Sequence, residues 1–107
     1  MIRGALCALV LLAPMPAAAA GQGGTVYLCE RDAIVEAIYL NEPDPPQVVL
    51  HVEGRMVSLP LSPAASGARY GGEEDGYQWW TKGDGAMLDW IEDGRETPIY
   101  RACLTTE

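Results

Sequence analysis

Between Pro46 and Gly94 this chain never runs more than eight residues without a glycine or a proline. An average α-helix needs about eleven or twelve residues, and either breaker inside one is costly. Short strands are the regular structure that such punctuation allows. The runs between the breakers are rich in β-branched and aromatic residues, as strands are. "QVVLHVE", residues 47–53, alternates: Val48, Leu50 and Val52 face one way, and Gln47, Val49, His51 and Glu53 the other. "TVYLCER", "AIVEAIYL", "RMVSLPL", "SGARY", "YQWWTK", "AMLDWI" and "TPIYRAC" bring the total to about eight strands, with no internal repeat and no second domain. Asn41 to Pro46 reads as a loop, Glu53-Gly54-Arg55 as a tight turn, and Pro60 and Pro63 as the end of the fourth strand. Gly83-Asp84-Gly85 and Asp93-Gly94 are hairpin signals. In "AMLDWIED", Met87, Leu88, Trp90 and Ile91 would also suit one face of a short helix. The expected fold is all-β: a small eight-stranded antiparallel β-barrel, because closure best protects strand edges at this size.

The first residues concern compartment. Met1-Ile2-Arg3 is a positive start, Ala5 to Leu12 is apolar, and Ala18-Ala19-Ala20 offers small residues for cleavage. This is the pattern of a secretory signal peptide, and the apolar run is too short to span a bilayer. Residues 1–20 are expected to be removed after Ala20, leaving one domain, residues 21–107, exported to the periplasm with no stable membrane span. Cys7 precedes most of the apolar run, so it is read as discarded with the signal rather than as a lipid attachment site. Cys29 and Cys103 remain, and two cysteines in a small exported domain most often pair. Their bridge would span 74 residues and close the barrel. One histidine, His51, and two cysteines cannot supply a structural zinc site, so neither metal nor cofactor is expected.

Without Arg3 the mature segment has six basic residues against 15 acidic ones, a net charge of −9. Nucleic acid is disfavoured as a partner, as are anionic membrane surfaces, and a basic partner is favoured.

"SGARYGGEEDGYQWWTKGD", residues 66–84, gathers the groups with chemical potential: Ser66, Tyr70 and Lys82, the only lysine. Strand alternation puts Ser66, Ala68 and Tyr70 on one face, and Gln78, Trp80 and Lys82 together opposite Tyr77, Trp79 and Thr81. Antiparallel pairing about the Gly71–Gly76 loop brings Ser66 near Lys82 at one end of the sheet. A Ser-Lys catalytic dyad would need a buried lysine and an oxyanion hole, for which so small a barrel has little room. His51 falls in mid-strand on the polar face, where a surface histidine is the plainer reading than a His51-Ser66-Asp triad. No enzymatic activity is expected. By composition alone, the stretch is simply a strand start, core tryptophans and a turn.

Ala64-Ala65-Ser66-Gly67-Ala68-Arg69-Tyr70, followed by Trp79-Trp80-Thr81-Lys82-Gly83-Asp84 and then Ala86-x-Leu88, resembles the paired motifs of the bacterial C-type lysozyme inhibitors. Tyr27-x-Cys29 and Cys103 agree with where that family places its disulfide, so the resemblance spans most of Tyr27 to Cys103. It implies an eight-stranded antiparallel barrel that blocks the active cleft of a host lysozyme. Carried over residue by residue, it puts Ser66 and Lys82 against the enzyme's catalytic carboxylates. Gly67, Tyr70 and Gly83 belong to the same implied surface. C-type lysozymes are basic as a class, which suits an acidic inhibitor. Gly85 stands where the family usually has Glu, and the Gly71–Gly76 loop is longer and more acidic than is typical of it. The competing reading is an envelope carbohydrate-binding or structural β-module, with Trp79, Trp80 and Trp90 as a sugar-stacking platform.

Overall fold

The structure, a computed structural model, describes residues 24–106. The expected signal peptide, Cys7 and the cleavage after Ala20 lie outside the described residues. Eight strands follow one another in an up-and-down meander: β1 (Thr25–Leu28), β2 (Ile34–Leu40), β3 (Gln47–Val52), β4 (Arg55–Ser62), β5 (Ala68–Gly71), β6 (Gly76–Lys82), β7 (Gly85–Glu92) and β8 (Arg95–Thr105). Each pairs antiparallel with its neighbour in sequence, and β1 pairs with β8 to close an eight-stranded barrel. The Cys29–Cys103 disulfide sits beside that closing seam, one residue beyond the Leu28↔Leu104 pair. Both cysteines are buried.

Residues 85–92 form β7, so the helical option for this segment is excluded. Its register against β6 is continuous from Gly76↔Ile91 to Lys82↔Gly85, and a helix there would abandon that whole ladder. Two expectations about strand ends need correction. β1 stops at Leu28, and Glu30–Asp32 is a single 3₁₀ turn with left-handed φ at Arg31 and Asp32. Pro60 does not end β4 but lies within it, opposite Gln47. There β4 exchanges partners, pairing with β3 up to Pro60 and with β5 from Leu61 onward. A proline's missing N–H is tolerated at such a changeover.

Three hairpins show turn geometry that their sequences dictate. At Glu53-Gly54 and Asp93-Gly94 both central residues have positive φ, the type I′ pattern. At Gly83-Asp84 only Gly83 does, the type II′ pattern, which calls for glycine in that place. Between β7 and β8 the register slips on either side of Leu88, so the eleven-residue β8 can follow the eight-residue β7 around the curve.

The barrel interior is filled by the inward half of each alternating pattern, including Val35, Ala37, Val48, Leu50, Val52 and Leu88. At its centre Trp79 is fully buried, edge-on to Tyr27 with ring centroids 5.0 Å apart. Its polar edge is satisfied: Trp79 Nε1 donates to the Tyr39 hydroxyl at 3.0 Å, which is also 2.7 Å from the Tyr27 hydroxyl. Burial pushes the Tyr39 phenol well above its ordinary pKa, so this hydroxyl stays neutral.

Candidate functional site

An up-and-down meander sends alternate connections to opposite ends of the barrel. The β4–β5 loop (63–67) and the β6–β7 hairpin at Gly83-Asp84 therefore share one end, together with the β2–β3 loop. The β5–β6 loop (72–75), which carries Glu73, Glu74 and Asp75, lies at the other end. There Asp75 Oδ1 accepts the Asp93 amide, and Glu53 accepts the Tyr77 hydroxyl at 2.6 Å. The acidic loop is thus a full strand length from Lys82 and does not govern its reach.

Ser66 and Lys82 are brought to one end by the β5–β6 register, which runs from Gly71↔Gln78 to Ala68↔Thr81. One step further places Gly67 opposite Lys82. Gly67 has φ +69, and a side chain there would overlap the Thr81 carbonyl oxygen and come within 2.8 Å of Lys82 Cγ. Glycine is what lets the loop backbone lie directly on the Lys82 stem. Ser66 precedes β5, so strand alternation does not reach it, and its side chain is exposed. Its carbonyl accepts from Trp80 Nε1 at 2.9 Å, fixing the loop above the outer face of β6.

Tyr70 is a correction to the expected set. In the register Tyr70↔Trp79 and Ala68↔Thr81, the tyrosine shares the inward face of β6, not the outer face of Trp80 and Lys82. It is 7% exposed, with its ring 5.7 Å from that of Tyr39, and burial raises its phenol pKa. As folded, Tyr70 braces the start of the loop from inside. Ser66, Gly67, Lys82 and Gly83 remain as surface residues.

The hairpin that carries Lys82 is anchored twice. Lys82 pairs with Gly85 across the turn, and the Asp84 carbonyl accepts the Thr105 amide at 3.1 Å. A Cβ at Gly85 would meet only ordinary contacts, the nearest at 3.6 Å, so the position has room for the glutamate of the resemblance. Beside Lys82 an open groove of about 450 Å³ runs along the outer face, walled by Trp80, Met87, Arg101 and Leu104.

Sequence reading missed the residues beneath this loop. Gln78 points outward yet is 1% exposed, and Asp89, its cross-strand partner, is 8% exposed. Gln78 Nε2 donates to Asp89 Oδ2 at 3.2 Å, while its Oε1 accepts from Arg69 Nη1 at 3.1 Å. Arg69 Nε reaches the Pro63 carbonyl at 3.0 Å, and its guanidinium lies 5.8 Å from the Trp80 ring centroid. Burial is the main cause raising the Asp89 pKa. Outward-pointing polar residues carry no periodicity signal of burial; a glutamine facing an aspartate across a hairpin was the only hint.

The three tryptophans do not form a platform. Trp79 is inside, Trp80 pairs with Met87 on the outer face, and Trp90 pairs with Tyr77 and packs edge-on against it at 5.0 Å. His51 is exposed on the outer face of β3. Among the described residues no group of three or more His, Cys, Asp or Glu is placed to hold a metal ion, and no helix is long and apolar enough to cross a membrane.

A family model described as membrane-bound lysozyme-inhibitor of c-type lysozyme matches residues 27–97. A Cupriavidus necator protein named membrane-bound lysozyme inhibitor of C-type lysozyme is 33% identical over 78 residues, which is 72% of this chain and 61% of that protein. The chain thus spans about 61% of the length of that relative. The crystal structure of the periplasmic lysozyme inhibitor of C-type lysozyme from Salmonella typhimurium is similar with a TM-score of 0.63 at 26% identity, over 78% of this chain and 95% of that one.

Proposed function

The chain belongs to the family of membrane-bound lysozyme inhibitors of c-type lysozyme, and from that premise we propose that it inhibits a C-type lysozyme by placing the Ser66–Gly67 loop and the Lys82–Gly83 hairpin in the enzyme's cleft. The observation that carries this reading is the convergence of both segments at one barrel end, with Gly67 packed on the Lys82 stem. A retaining glycosidase holds two carboxyl groups about 5 Å apart. A lysine ammonium offers one of them a charge-assisted hydrogen bond, and the neighbouring serine hydroxyl offers the other a neutral donor. Neither group performs chemistry. The protein occludes the cleft and is not itself an enzyme.

Two features support the pairing with such a target. The described strands leave Ser66 and Lys82 exposed on short, anchored turns, so little order has to be gained on binding. The net charge of −9 expected for residues 21–107 steers a basic partner toward it, and that steering weakens as salt rises. Export to the periplasm, expected from the N-terminal residues, agrees with a disulfide-bridged barrel whose relatives are named periplasmic or membrane-bound. The test is titration of purified protein into a C-type lysozyme assay on bacterial cell walls. Activity should fall to near zero at stoichiometry, and Lys82→Ala should shift the curve to higher inhibitor concentration. Retention of peptidoglycan in place of lysozyme in a pulldown would overturn the proposal.

A further inference from the structure

The Ser66–Gly67 loop leaves the sheet after Ser62, and two of its carbonyls are held by side chains of β5 and β6. Pro63 O is held by Arg69 Nε, and Ser66 O by Trp80 Nε1. One guanidinium lies behind both contacts, because Arg69 also lies against the Trp80 ring. Arg69 is fixed in turn by a built relay. Gln78 Oε1 takes its Nη1 hydrogen, and the other end of the same amide donates to the Asp89 carboxylate. A cation on one side and an anion on the other determine which way the Gln78 amide points. Gly72 closes over this relay: a side chain there would collide with Gln78 Oε1 and come within 2.6 Å of Arg69 Nη1.

We propose that Arg69 is the positioning residue of this loop, holding Ser66 over Trp80 and Gly67 against the Lys82 stem. Its effect on inhibition rests on the lysozyme-inhibitor reading; its hold on the loop does not. Arginine is required for the geometry. Its fork spans a carbonyl and an amide oxygen while its flat face covers an indole, and a lysine ammonium cannot do all three.

The test compares Arg69→Met, which keeps an unbranched stem and removes every donor, with Arg69→Lys, which keeps the charge. The first readout is hydrogen exchange of the Trp80 indole N–H, the donor to the Ser66 carbonyl, followed by NMR without any lysozyme. Exchange there should accelerate by about tenfold or more in both variants, while the Trp79 indole, bonded inside the barrel, stays slow. The second readout is inhibition, which should weaken by about tenfold in both, with no rescue by lysine. Arg69→Lys serves alone if Arg69→Met does not fold. Unchanged exchange at the Trp80 indole overturns the proposal. So does faster exchange with undiminished inhibition, because the loop's position would then be irrelevant to the site. If the parent protein does not inhibit lysozyme at all, the inhibitory reading falls, and the exchange result by itself decides whether Arg69 holds the loop.

Discussion

Lys82 and Ser66 stand at the same end of the barrel but offer a cleft different things. Lys82 brings a full charge on an exposed stem, and removing one member of a desolvated charge pair costs about 2–5 kcal/mol of binding. Ser66 brings a neutral hydroxyl, worth about 1.5–3 kcal/mol against a charged acceptor. Inhibition curves should therefore rank Lys82→Ala as weaker than Ser66→Ala, with thermal melting of both near the parent because both side chains are exposed. Gly67→Ala should differ in kind. It places a Cβ on the Thr81 carbonyl at a φ of +69, so melting temperature and inhibition should fall together. Asp89 gives a pH signature. Burial raises its folded pKa above the ordinary 3.8, so the folded state binds that proton more tightly than the unfolded chain does. Its contribution is then most favourable below pH 3.8 and declines as pH rises through the folded pKa. Asp89→Asn keeps an acceptor for Gln78 but removes the titration. Urea melts across that window should show the parent losing stability relative to the variant as pH increases. A constant difference would mean that Asp89 is not desolvated in the folded state.

At the scale of strands, periodicity of two made most of the fold legible, because Val48, Leu50 and Val52 can be buried together only if residues 47–52 are extended. The same rule fell short at three places, each for a physical reason. Pro60 looked terminal because a proline breaks one ladder, and nothing local says that β4 leaves β3 and joins β5 at that point. Ser66 was counted with Tyr70 because both have even numbers, but Ser66 lies in the loop, before β5 and its alternation begin. Alternation places Gln78 on the face of Trp80 and Lys82 but says nothing of its burial, which comes from Arg69 and Gly72 folding over it. The candidate site was legible only as far as the motif spacing brought Ser66 and Lys82 to one end; the supporting relay depends on contacts between β5, β6 and β7. Inside the barrel, Tyr39 links β2 to β1 and β6 by accepting from Trp79 and pairing with Tyr27. Tyr39→Phe leaves the buried Trp79 N–H without its acceptor, which should lower unfolding free energy by about 1–3 kcal/mol. Inhibition by the folded fraction should change far less than with Lys82→Ala, since Tyr39 meets the site loop only through the Tyr70 ring. A variant as stable as the parent would show that the indole finds another partner.

Around the whole barrel, pairing is uneven, and one of its two shortest joins lies where the chain ends meet. β6 and β7 share seven register pairs, whereas β1 and β8 share two, Tyr27↔Thr105 and Leu28↔Leu104, as few as β4 and β5. The Cys29–Cys103 bridge adjoins those two pairs and links residues 74 apart. Constraining an unfolded chain over a loop of that size contributes about 4–5 kcal/mol in the chain-entropy account, a large share of what so small a domain has. Reduction should therefore act at the seam first, with hydrogen exchange at residues 25–28 and 103–105 accelerating before exchange in β6 and β7. The consequence reaches the proposed site, because the Thr105 amide holds the Asp84 carbonyl beside Lys82. A Cys29→Ala, Cys103→Ala variant, or parent protein kept under reductant, should lose several kcal/mol in denaturant melts. Under conditions where it remains folded, it should also inhibit less well, as the Lys82 hairpin loses one of its two anchors. Uniform acceleration of exchange around the barrel would mean that the β1–β8 seam does not depend on the bridge beside it more than the rest does. Full inhibition by the folded, reduced protein would mean that Lys82 does not depend on its anchorage to β8.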